Sequence, residues 1–94
     1  MHNRYMPTVS FAPHLQRHVP CPQQTVTAHT LGQALAQAFV AAPALQHYVL
    51  DEQGHVRKHV AVFVNSELVT NRHDLSLELD KDDKVMVIQA LSGG

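Results

Sequence analysis

The sequence predicts an α+β domain, a mixed β-sheet with one main helix packed on one face. Three observations predict it. Apolar side chains between Leu31 and Ala42 recur at three- and four-residue spacing, the period of an amphipathic helix. Val60–Val64 and Val85–Ile88 are short, β-branched and bounded by turn residues, as strands are. The chain has 94 residues, enough for one hydrophobic core and too few for two.

The first strand runs from about Thr8 to Pro13, where Val9 and Phe11 alternate with Thr8, Ser10 and Ala12. A polar stretch, His14 to Gln24, follows, and Pro20 and Pro22 exclude a central strand there. Thr25-Val26-Thr27 is a short β-prone segment that closes a long-looped hairpin. Thr30 caps the helix through its hydroxyl. Leu31, Ala34, Leu35, Ala38, Phe39 and Ala42 form the apolar face, with Gln33 and Gln37 on the other. Pro43 ends the helix, because it has no amide hydrogen and restricts Ala42. Leu45–Leu50 packs beneath that helix, and Asp51-Glu52-Gln53-Gly54 makes a turn. Val56–Asn65 is the strongest strand, and Asn65-Ser66 is a tight turn into Glu67-Leu68-Val69. Residues 70–79 are polar and irregular, with Leu75, Leu77 and Leu79 available to the core. Asp80-Lys81-Asp82-Asp83 is a charged turn, and Val85–Leu91 is the last strand. Hairpin, helix, strands and terminal strand is the element order of a β-grasp (ubiquitin-like) domain. The expected organisation is one β-grasp domain over residues 1–91 and a flexible C-terminal Gly-Gly tail at 92–94.

Composition excludes several function classes. The formal net charge is -1, so there is no electrostatic footprint for nucleic acid or an anionic membrane. The apolar runs are too short to span a bilayer, and Met1-His2-Asn3-Arg4 leads into no signal sequence. One cysteine, Cys21, allows no internal disulfide and fits a reducing compartment. A soluble, cytoplasmic protein is expected.

Both strong strands are apolar on two faces. If Val60, Val62 and Val64 face the helix with Val85 and Val87, then Phe63, Met86 and Ile88 face outward. Either Leu45–Leu50 or a loop covers them, or they form a docking surface for a partner protein, with Arg57 and His59 on its rim and Leu91 beside the tail.

The chain ends Gln89-Ala90-Leu91-Ser92-Gly93-Gly94. With Thr30-Leu31-Gly32 opening the helix, Val60-Ala61-Val62-Phe63-Val64-Asn65-Ser66-Glu67 in the central strand and turn, and Asp82-Asp83-Lys84-Val85-Met86-Val87-Ile88 before the terminal glycines, the sequence resembles the ubiquitin-like sulfur carriers, the MoaD/ThiS family. Arg57-Lys58-His59-Val60 looks nearest to the CysO-like carriers. Gln89 stands where members often have Pro, and the Asp82-Asp83 turn lacks their usual Gly.

The resemblance implies a mechanism. A partner adenylating enzyme related to ubiquitin-activating enzymes uses ATP to activate the carboxylate of Gly94. A sulfur donor then displaces AMP and leaves a thiocarboxylate, which a sulfur-acceptor enzyme consumes in cysteine, molybdopterin, thiamine or thiolated-tRNA synthesis. The chain itself holds no cofactor stably and is a carrier, not an enzyme. The residue types suit this chemistry. A terminal carboxyl has a pKa of about 3.5, so it is ionised and nucleophilic at neutral pH. Glycines at 93 and 94 make a thread without side chains that can enter a narrow site.

Rival sites are weaker. His14/His18 and His55/His59 have the i, i+4 spacing of a metal pair, but prolines bracket the first, and in a strand the second would be separated by more than about 12 Å. Cys21 lies between prolines with no fixed base beside it. Asp80, Asp82 and Asp83 alternate with lysines and lack the calcium-loop spacing. Two alternatives to sulfur carriage stay open: a ubiquitin-like modifier conjugated through Gly94, and a binding module that uses the sheet face and never activates its tail.

Overall fold

The computed structural model describes residues 6–13 and 23–89. Its elements are β1 (Thr8–Phe11), β2 (Gln24–Thr25), α1 (Leu31–Ala41), α2 (Pro43–Val49), β3 (Val60–Val64), β4 (Glu67–Leu68) and β5 (Lys84–Gln89). The strands form one mixed sheet in the order β2-β1-β5-β3-β4. β1 and β5 pair in parallel, with Val9 opposite Val85 and Phe11 opposite Val87. The other pairings are antiparallel. This is an α+β fold of the β-grasp type, with the first and last strands side by side.

The core follows from the two periodicities. Val9, Phe11, Val60, Val62, Val85 and Val87 are buried on the inner sheet face. Leu31, Ala34, Leu35, Ala38 and Phe39 are the buried stripe of α1. The Phe11 and Phe39 rings meet at a centroid distance of 5.9 Å. Each fully buried Val or Leu contributes roughly 1.5–3 kcal/mol through removal from water.

The N-terminus of α1 is capped twice. Thr30 Oγ1 accepts from the Gln33 amide at 3.2 Å, and Gln33 Oε1 accepts from the His29 amide at 3.0 Å. Gln37 is more than a solvated face: its side chain bonds both the amide and the carbonyl of Thr27, fastening the β2–α1 connection to the helix.

Pro43 both ends α1 and starts α2. Its fixed φ and missing donor suit the first position of a helix. The segment expected only to pack beneath α1 is therefore a second helix, whose Leu45 and Val49 enter the core one turn apart.

β3 starts at Val60 rather than Val56. Upstream, Val56 makes only a single bridge with Leu50, and residues 57–60 form a turn in which the Val60 amide donates to the Arg57 carbonyl at 3.1 Å. The Arg57 amide is turned to Val49 of α2 at 2.9 Å, so it is unavailable to a sheet neighbour.

Residues 70–79 form a strap across the start of α1. The amides of Leu31 and Gly32 donate to the carbonyls of Leu77 and Leu75 at 2.9 and 2.8 Å. A Cβ on Gly32 would stand 3.2 Å from the Leu75 carbonyl oxygen, so the glycine permits this close approach. Leu79 is buried, Leu75 packs against the core, and Leu77 is exposed.

Asn65 and Ser66 form the two-residue hairpin turn between β3 and β4, with φ of 51° and 72°. Positive φ at both positions is the type I′ requirement, which glycine meets best at the second. Ser66→Gly is expected to stabilise the protein by about 0.5–1 kcal/mol, read as a higher urea midpoint at unchanged slope.

Candidate functional site

The outer sheet face carries an apolar row. Register places Leu68 of β4 opposite Phe63 of β3, Phe63 opposite Met86 of β5, and Met86 opposite Ser10 of β1. A second pair, Ala61 and Ile88, lies one step along the same face. Leu68 and Met86 are 52% and 41% exposed, while Phe63 and Ile88 are half-buried. Alternation thus puts Phe63, Met86 and Ile88 opposite the buried valines, and it adds Leu68, which the sequence reading left out. The signal for Leu68 was its position two residues beyond a tight turn, where hairpin pairing returns it to the face of Phe63. Leu45–Leu50 does not cover this row, because Leu45 and Val49 belong to the core on the helical side.

Arg57 and His59 are engaged with α2. Arg57 Nε donates to the His47 carbonyl at 2.8 Å, and the His59 ring meets Tyr48 edge-on at 5.3 Å between centroids. Those contacts belong to the helical layer, a different setting from the rim of the outer face expected for them.

Leu91, Gly93 and Gly94 lie outside the described residues, as do the expected tail boundary at 92–94, the His14/His18 pair and Cys21. Gln89, the last residue of β5, pairs with Val60 at the start of β3. Arg57, Lys58 and His59 precede β3 at this end of the sheet.

The rival sites resolve into structural roles where they are described. The His55 ring packs on His73 at 4.4 Å, whereas His59 packs on Tyr48, so the two members of the i, i+4 pair have different neighbours. They precede β3 rather than lie in it. Asp83 Oδ1 accepts from Asn65 Nδ2 at 2.7 Å, and its Oδ2 accepts from the Asp80 amide at 2.8 Å. Asn65 Oδ1 in turn accepts from the Lys84 amide at 3.0 Å. The acidic turn is thus tied to the β3–β4 hairpin. Among the described residues, no three His, Cys, Asp or Glu side chains gather as metal ligands.

Arg72, inside the stretch read as polar and irregular, organises the segment before β3. Its Nη1 donates to the carbonyls of Arg57 and Val60, both at 2.6 Å. Beside it, Asp51 Oδ1 accepts from the amides of His55 and Gln53 at 2.9 Å. The His55 amide above all holds the Asp51 carboxyl below its usual range, because the donated hydrogens favour the ionised form. No helix among the described residues is long and apolar enough to cross a membrane.

The arrangement offers no assembled set of acid, base and nucleophile among the described residues. It offers a sheet with an apolar row on its outer face, in which Leu68 and Met86 are exposed. Comparison with known proteins agrees with that architecture. The structure is similar to SAMP1 from Haloferax volcanii at 23% identity and a TM-score of 0.78, covering 95% of this chain and 99% of that one. It is similar to the small archaeal modifier protein 1 from Methanosarcina acetivorans at 16% identity and a TM-score of 0.77, covering 99% and 100%. The Amycolatopsis orientalis BexX/CysO complex contains a chain 20% identical, with a TM-score of 0.76 and coverage of 94% and 99%. No curated protein sequence matches the chain. The model of the ThiS family matches residues 18–94, most of the chain including both terminal glycines. The chain belongs to the ThiS family of ubiquitin-like sulfur-carrier proteins.

Proposed function

We propose that the protein carries sulfur on its C-terminus. A partner adenylating enzyme joins the Gly94 carboxylate to AMP, releasing pyrophosphate. Hydrosulfide then attacks the acyl carbon and expels AMP, leaving a thiocarboxylate on Gly94 for an acceptor enzyme; a persulfide donor instead forms an acyl disulfide, whose S–S bond a second thiol of the activating system reduces to free the thiocarboxylate. The observation that carries this reading is the ThiS-family match, which runs through the terminal Gly93-Gly94. The sheet register supports it by placing β5, the last described strand, between β1 and β3. The test is intact mass after incubation with ATP, a sulfur source and the activating enzyme from the same cell. A gain corresponding to one oxygen replaced by sulfur at Gly94 is expected. An unchanged mass with every such enzyme of that cell would overturn the reading.

The Leu68–Phe63–Met86 row is the surface by which the activating enzyme holds the domain. Met86→Asp puts a charge in the middle of that row without touching the buried valines. It is expected to weaken capture by the enzyme about tenfold while the melting temperature stays near that of the parent. Equal capture would remove this face from the interface.

Similarity to a small archaeal modifier protein favours one second reading, conjugation of Gly94 to lysines of other proteins. Gly-Gly remnants on lysines in a cell digest, dependent on this chain, would identify it.

A further inference from the structure

The cleft in front of β3 concentrates positive charge on a chain whose formal net charge is -1. Arg57, Lys58 and Arg72 line it, three of the seven lysines and arginines in the sequence. His55, His59 and His73 line it as well. Its one carboxylate, Asp51, has Oδ1 committed to two backbone amides. The charge is local: the groove between β4 and residues 70–78 is lined by Glu67, Asp74 and Glu78 and by no lysine or arginine.

The two guanidinium groups are held in place before any ligand arrives. Arg72 is fixed through Nη1 to the carbonyls of Arg57 and Val60 at 2.6 Å, and Arg57 through Nε to the His47 carbonyl at 2.8 Å. Each anchors through one nitrogen of a group with five N–H donors, so the rest of the fork stays available. Fixed forks suit oxyanions that present several oxygens, and their prior ordering reduces the entropy lost on binding. The cleft volume is about 520 Å³, larger than a single phosphate and within the range of small-ligand sites. Neither α1 nor the outer sheet face takes part in it.

We propose that this cleft binds a polyphosphate group, with Arg57, Arg72 and Lys58 neutralising its charge and the tilted His55–His73 ring pair forming one wall. The proposal stands whether or not Gly94 is activated.

The test uses the full chain and three probes at constant ionic strength: inorganic tripolyphosphate, ATP and orthophosphate, followed by amide NMR shifts. Saturable shifts confined to residues 55–60 and 71–74 are expected with tripolyphosphate, and weaker ones with orthophosphate. Equal affinity for ATP identifies the phosphate chain as the whole determinant, and tighter ATP binding adds the nucleoside to it. Lys58→Glu, at an exposed position, is expected to weaken tripolyphosphate binding about tenfold. His73→Ala provides a second variant from a different segment, with a smaller loss expected. Absence of saturable shifts in the cleft overturns the proposal, as does unchanged affinity in both variants. Equal responses at Lys81 and Lys84 would also overturn it, since they would report diffuse charge attraction.

Discussion

Deleting Gly93 and Gly94 is expected to abolish sulfur loading completely while leaving a folded domain. On the proposed mechanism the loss is total, because the atom to be activated, the carboxyl carbon of Gly94, goes with the deletion. The new terminus at Ser92 still ends in a carboxylate, but one on a residue with a side chain, two positions nearer the sheet. An adenylating site that accepts only a thin thread excludes it by shape. The measurement is intact mass after ATP-dependent sulfuration, with a thermal melt of the same sample to establish folding. Restoring Gly-Gly after Ser92 should restore loading, and restoring Ala-Ala should not. A deleted chain that still gained sulfur would remove Gly94 as the loaded residue, and one that kept its full cellular activity would point to the binding-module reading instead.

Replacing Arg72 with methionine is expected to destabilise the domain by about 2 kcal/mol, because it removes two charge-assisted hydrogen bonds from partly buried carbonyls. For a domain of this size that is a fall in melting temperature of roughly 10 °C. The Arg57 carbonyl keeps the Val60 amide as a partner, which limits the loss. Arg72→Lys should fall between parent and Met variant, since an ammonium restores the charge but not the planar fork. Arg72 joins the strap 70–79 to the segment before β3, so hydrogen exchange should accelerate at Val56 and Val60 before it does in α1. An unchanged melting temperature in Arg72→Met would show that the carbonyls are satisfied equally well by water.

These two residue groups differ in how far the sequence revealed them. The glycine pair can be proposed from the letters alone, because the chemistry proposed for it needs no partner within the chain: position in the sequence and absence of a side chain are properties of the letters. Arg72 was not legible, since its role depends on two carbonyls 12 and 15 residues away. The same contrast separates the helices. α1 announces itself by six apolar positions, a cap at Thr30 and a stop at Pro43. α2 is seven residues long and contributes one buried pair, Leu45 and Val49, too little periodicity to separate a helix from a packed loop. The outer-face residues Phe63, Met86 and Ile88 followed from period two alone, while the settings of Arg57 and His59 were set by α2, an element not foreseen.

By itself the sequence determined the β-grasp element order, the valine-lined inner sheet face, the hairpin turn at Asn65-Ser66 and the family to which the glycine terminus points. Periodicity, turn chemistry and motif order are local properties, and each is written in consecutive residues. Only the tertiary structure decided that Leu68 joins the apolar row, that Arg72 holds the start of β3, and that Arg57, Lys58 and His73 share one cleft. Those juxtapositions arise where antiparallel pairing and the strap 70–79 bring distant segments together. Their energetics reside in contacts between residues that no local pattern links.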